Sequence, residues 1–176
     1  MRTSKFGFVA IIFLMVCAVR AEAQDVTSVY TELDEKSCEK LEPDEANGVL
    51  YLGRCEGAGG YALHIIEGDL RQQVEVISPD GEEHELRLWH HFPGFTAVGP
   101  RAEWRVKDGV PFALFFRYYV NNNPSDSDKY TRYLMVVKIT ETLACVTEII
   151  GPSKDQNEQA RKAADRAPNT PCKVAE

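Results

Sequence analysis

Val110–Gly151 reads VPFALFFRYYV, then NNNPSDSD, KYTRYLMVVKIT, ET and LACVTEIIG. Three apolar runs separated by a polar stretch and a tight turn predict three consecutive strands. In the first run Phe112, Leu114, Phe116, Tyr118 and Val120 take one face of a strand. Ala113, Phe115 and Tyr119 take the other, with Arg117 among them. A strand apolar on both sides is expected at the centre of a sheet, covered above and below. Tyr133, Met135, Val137 and Ile139 form one face of its partner. Asn121–Asp128 reads as an exposed hairpin tip. Its Asp126 and Asp128 lack the glycine and distal glutamate of a calcium-binding loop.

Upstream of that block, the pattern of short strands continues. Val29 and Thr31 alternate with Ser28, Tyr30 and Glu32. Ser37–Leu41 and Val49–Cys55 read as a hairpin around the acidic turn Pro43–Gly48. Gly57-Ala58-Gly59-Gly60 is a glycine corner between two strand signals, which is not the strand-to-helix setting of a nucleotide-binding loop. Leu70, Gln72, Val74 and Val76 face away from Arg71, Gln73 and Glu75, the pattern of a half-buried antiparallel strand. Ala102–Lys107 and the Asp108-Gly109 turn lead into the central block. After Gly151-Pro152, Ser153-x-x-Gln156 has the spacing of a capping box and predicts a helix through about Arg166. The apolar side of that helix is alanine alone: Ala160, Ala163, Ala164 and Ala167. The expected fold is mainly β with some α: an antiparallel curled sheet or small sandwich of about seven to nine strands, with one C-terminal helix.

Residues 1–23 have the form of an export signal. Arg2 and Lys5 precede an apolar run of 14 residues, Phe6–Val19, and Ala21-Glu22-Ala23 supplies the small residues of a cleavage site. The run is too short to span a bilayer. Cleavage after Ala23 leaves residues 24–176 as a single β-rich domain, periplasmic or secreted. Lipidation of Cys17 is the alternative, although Val16 stands where a lipobox takes a small residue. Losing the signal takes the net charge from −7 to −9. Such acidity repels phosphate backbones, so nucleic acid is not an expected partner, whereas a basic exported protein or a small ligand is.

Four cysteines remain: Cys38, Cys55, Cys145 and Cys172. An even number in an exported chain reads as two disulfides. Of the three pairings, Cys38 with Cys55 and Cys145 with Cys172 close the shortest loops, one at each end of the chain. No cysteine has a neighbouring cysteine or histidine at zinc-site spacing.

Ser28-Val29-Tyr30-Thr31, the Cys38–Cys55 hairpin, Gly59-Gly60-Tyr61 leading to Glu67-Gly68-Asp69-Leu70-Arg71, and a Cys145–Cys172 tail enclosing a helix together resemble small exported alphaproteobacterial proteins of uncharacterised function. The resemblance covers nearly the whole mature chain. It implies a secreted or periplasmic β-rich domain and brings no catalytic residue with it.

Ser78–Pro100 is the least regular segment and the most varied chemically, with His84, His90, His91 and Trp89 beside Glu82, Glu83 and Glu85. Imidazoles with carboxylates are the raw material of a zinc or copper site and of acid–base catalysis. Six residues of extended chain separate His84 from His90 by roughly 20 Å, so only a loop that doubles back gathers them. No nucleophile elbow or metalloprotease motif accompanies them. The expected function is therefore a non-catalytic binding or structural module of the periplasm or cell envelope, one version being an inhibitor of a basic hydrolase. No catalytic residue and no cofactor is assigned, and Trp89, Tyr118 and Tyr130 are the aromatic candidates for ligand contact. The alternative is a metal-dependent or acid–base hydrolase that uses the His84–His91 loop.

Overall fold

The computed structural model describes residues 25–123, 125–126 and 129–174. The expected export signal with its cleavage site, Cys17 and Asp128 lie outside these residues. The chain forms ten strands followed by one helix: β1 (Thr27–Glu32), β2 (Glu39–Leu41), β3 (Tyr51–Glu56), β4 (Ala62–Gly68), β5 (Arg71–Ile77), β6 (Glu83–Glu85), β7 (Phe95–Lys107), β8 (Val110–Asn121), β9 (Thr131–Ile139), β10 (Ala144–Ile150) and α1 (Gln156–Arg166). The fold is mainly β with a single C-terminal helix among the described residues, as the sequence predicts.

All strands belong to one sheet ordered β10-β9-β8-β7-β5-β4-β3-β2, with β1 paired to β7 and β6 paired to β5. Every pairing is antiparallel except a single parallel bridge, Arg71 to Thr96, between β5 and β7. The sheet curls until residues next to β6 approach β10 without closing into a barrel: Leu86 shares a small pocket with Cys145 and Val146.

That curl has two apolar sides. Its concave side holds the main core, with Leu63, Val74, Leu88, Trp104, Leu114, Phe116, Tyr118, Met135 and Val137 all fully buried. On the convex side, α1 lays Ala160, Ala163, Ala164 and Ala167 onto Ala113, Phe115, Leu134 and Val136. Strand β8 is thus buried on both faces, as its sequence requires. Phe112 is the exception to the expected alternation, for it packs with the helix-side cluster. The reason is local: the pairing with β7 shifts register between Arg105 and Val106, just opposite.

Both disulfides form with the expected pairing, Cys38–Cys55 and Cys145–Cys172. The first staples the β2–β3 hairpin, and the second ties the segment after α1 back to β10. Two expectations need correction. The segment Ser78–Pro100 is not an irregular loop: it contains β6, a turn of 3-10 helix at Leu88–His90 and the first half of β7. Strand β7 runs 13 residues because Gly99-Pro100 bends it without ending it. There the register against β8 slips between Val98 and Ala102. A side chain at Gly99 would stand 2.7 Å from the Cβ of Arg117, so only glycine allows β8 to stay this close.

The capping box also fails to form. Asp155 occupies the N-cap with no side-chain cap hydrogen bond. Ser153 Oγ instead accepts from Gln159 Nε2 at 3.2 Å. Gln156 turns inward and donates to the carbonyls of Arg132 (2.8 Å) and Ile150 (3.0 Å). The first turn of α1 is therefore fixed by the sheet and not by its own cap.

Candidate functional site

A concave feature of functional interest lies where α1 crosses the convex face of β7 and β8. It is a groove of about 490 Å³ with Glu103 and Phe115 on its floor, Tyr30, Tyr119 and Arg101 at its rim, and Arg117 and Arg161 facing across it. Alternation places Glu103, Arg117 and Tyr119 on this face, since their even- or odd-numbered neighbours Trp104, Phe116 and Tyr118 point into the core.

Glu103 is 4 % exposed, a buried carboxylate that needs compensation. Arg161 of α1 supplies it with two hydrogen bonds, Nε to Oε1 at 2.6 Å and Nη2 to Oε2 at 2.9 Å. Ser28 Oγ donates a third at 2.7 Å. Arg105 Nη1 lies 3.9 Å away and binds Asp165 through Nε at 2.7 Å. Burial pushes the Glu103 carboxyl up, but the bonds from Arg161 and Ser28 and the charge of Arg161 outweigh it and hold it below the usual carboxylate range. Arg101 is likewise paired, with Glu32 at 2.8 Å.

Arg117 is different. Its guanidinium donates to two neutral acceptors of the first helical turn, Gln156 Oε1 at 3.0 Å and Asn157 Oδ1 at 3.2 Å. Among the described residues no carboxylate lies within ion-pair distance of it. The groove thus holds a cation oriented by amides, with Tyr30 and Tyr119 also in its lining. Five fixed N–H donors make a guanidinium a specific partner for a carboxylate. Sequence reasoning places Arg117 on the strand but gives no sign of this, because its setting depends on a helix about 40 residues further along the chain.

The residues singled out in the sequence fall elsewhere. Tyr118 is fully buried and its hydroxyl donates to Gln72 O at 2.6 Å, so it is a core residue and not a ligand contact. Tyr130 is exposed and meets Tyr119 edge-on, ring centroids 6.4 Å apart. Trp89 is also exposed, tilted against His90 at 5.5 Å. His90 and His91 line a pocket of about 230 Å³ with Glu85, Arg87 and Lys173. Burial, then Lys173 and His90, pushes the His91 imidazole down. Two basic side chains in that pocket oppose a dication. His84 stands on β6 opposite Val76. Among the described residues, no set of three metal-ligating groups that includes His84, His90 or His91 comes within 4.8 Å. It is His64, in the apolar stretch Ala62–Ile66 of β4, that comes together with carboxylates, Glu75 and Glu83.

The fold is a disulfide-stapled, curled β-sheet with a groove lined by arginines and tyrosines beside α1. No family model matches the chain, and neither a curated protein nor a solved structure matches it.

Proposed function

We propose that this chain is a non-catalytic binding module of an oxidising, extracytoplasmic compartment, and that the groove under α1 is its binding site for a carboxylate-bearing small ligand. The observation that carries the reading is Arg117, a guanidinium held by two amides with no anionic partner among the described residues. A ligand carboxylate completes its pairing, while Tyr30 and Tyr119 flank the bound molecule. The groove's carboxylates, by contrast, are tied in ion pairs, and no histidine, serine or cysteine lines it among the described residues. Such a lining orients a ligand and supplies no general base or nucleophile, which favours binding over catalysis.

Two disulfides favour an exported location, as does the signal-like N-terminus. No helix of the described residues is long and apolar enough to cross a membrane. Fluorescence or calorimetric titration with phenylacetate and glutarate tests the reading: binding that Arg117→Met abolishes supports it, and equal affinity in Arg117→Met overturns it.

One observation favours inhibition of a basic hydrolase as a second reading. Glu35, Glu39, Glu42, Asp44 and Glu45 are exposed around the stapled β2–β3 hairpin, offering a rigid acidic edge to a cationic partner. Pull-down of a basic lysozyme at low and moderate salt tests it, and no recovery at either salt removes it.

A further inference from the structure

The structure assigns a second site, away from the groove: His64 of β4, Glu75 of β5 and Glu83 of β6 form a binding site for a divalent transition metal, zinc by its donor chemistry. Their ligand atoms, one ring nitrogen and two carboxylate oxygens, lie within 4.8 Å of one another. Strand pairing alone creates this arrangement. His64 and Glu75 are direct cross-strand partners, and Glu83 pairs with Ile77, two residues from Glu75 on the same face.

The independent sign of a ligand is the imidazole itself. His64 is 8 % exposed, and its Nε2 is buried without a hydrogen-bond partner. Nδ1 faces Glu75 Oε2 at 3.7 Å, beyond hydrogen-bond length. A buried ring with neither nitrogen hydrogen-bonded is destabilising unless something completes it. A cation between the ring and the carboxylates completes the nitrogen that faces them, and it also relieves the crowding of negative charge. The two carboxylates outnumber the positive charge of Arg54, the cross-strand partner of His64.

The donor set suits the metal. One imidazole and two carboxylates leave a fourth position of a tetrahedron for water, and zinc takes such nitrogen and oxygen ligands at about 2.0–2.2 Å. Those bond lengths place ligand atoms roughly 3.4 Å apart, so the 3.7 Å His64–Glu75 separation is nearly closed already. Glu83 has the remaining distance to cover, and its exposed side chain is free to turn inward. Magnesium, which prefers six oxygens in an octahedron, fits a buried imidazole poorly. The metal would pin the three-residue β6 to the two strands beside it.

The test is calorimetric titration of zinc, and separately magnesium, into the disulfide-bonded protein after chelator treatment. One zinc per chain is expected, with no comparable magnesium binding. Glu83→Gln, a change at an exposed side chain, is expected to weaken zinc by more than about 100-fold, beyond what loss of an outer-shell partner does. His64→Gln is expected to abolish binding. The triple variant His84→Gln, His90→Gln and His91→Gln is expected to bind zinc as the parent does. Absence of micromolar zinc binding, or binding that survives Glu83→Gln and is lost in the triple variant, overturns the assignment.

Discussion

Replacing either member of the Glu103–Arg161 pair should destabilise the protein, but by unequal amounts. Glu103 has a side chain only 5 % exposed, whereas that of Arg161 is 41 % exposed. Arg161→Met removes two hydrogen bonds from a carboxylate whose side chain is only 5 % exposed. Ser28 remains, with Arg105 at 3.9 Å. Breaking a buried pair by removing one partner costs about 3–5 kcal/mol, and the residual partners place this case near 3. Glu103→Gln keeps an oxygen acceptor for Arg161 and Ser28, and the orphaned guanidinium turns outward to solvent. A cost of about 1–2 kcal/mol follows from loss of charge-assisted bonds at a half-exposed donor.

The two variants also differ in pH dependence. In the parent the Glu103 carboxyl is held low, so its contribution is complete above the ordinary carboxylate range and is lost as pH falls through its depressed value. Arg161→Met leaves burial to dominate, which raises the carboxyl and reverses the sign: the folded state then takes the proton more readily than the unfolded chain, so the cost of the variant shrinks as pH falls. Glu103→Gln has no such titration. Urea unfolding midpoints at neutral pH and at a pH of about 4 read both effects. At neutral pH a Glu103→Gln cost equal to or above that of Arg161→Met refutes the reasoning, as does an Arg161→Met cost that does not shrink at the lower pH.

Three further perturbations probe the frame around the groove. Replacing Cys145 and Cys172 by serine reopens a loop of sequence separation 27 and should cost about 3.5 kcal/mol in the loop-entropy description, seen as a lower urea midpoint. Ala164→Leu should cost about 1–3 kcal/mol by overpacking, because Ala164 is fully buried between α1 and the sheet; thermal unfolding measures it. Gly57→Ala should cost at least as much, since its Cβ would stand 2.7 Å from the Trp104 ring and 2.6 Å from Tyr61 O. Tryptophan emission should show Trp104 in that variant becoming more solvated.

The parts of the fold legible in sequence are those that local pattern determines. The two apolar faces of β8, the alanine side of α1 and the short-loop cysteine pairing need no knowledge of distant partners. The first half of β7 was not legible, because Gly99-Pro100 has the look of a strand end and works as a bend only where β8 crosses it. The capping signature at Ser153 was present, but carbonyls of β9 and β10 offered Gln156 stronger partners than its own helix did.

The sites were less legible still, since each is made by pairing across the sheet. His64 sits in an apolar run and reads as a core histidine, and its carboxylates lie 11 and 19 residues away with no motif spacing. Histidines close in sequence, at 84, 90 and 91, drew notice instead. The Arg87 backbone at φ 52° and the 3-10 turn after it break the extended geometry that a strand reading assumes for them.

Amide nuclear magnetic resonance of the labelled protein titrated with phenylacetate decides whether the groove under α1 is a binding surface centred on Arg117. Saturable shifts at Arg117, Tyr119, Tyr30 and Asn157 that vanish in Arg117→Met are predicted. Shifts confined to other surfaces, or unchanged by Arg117→Met, would contradict it.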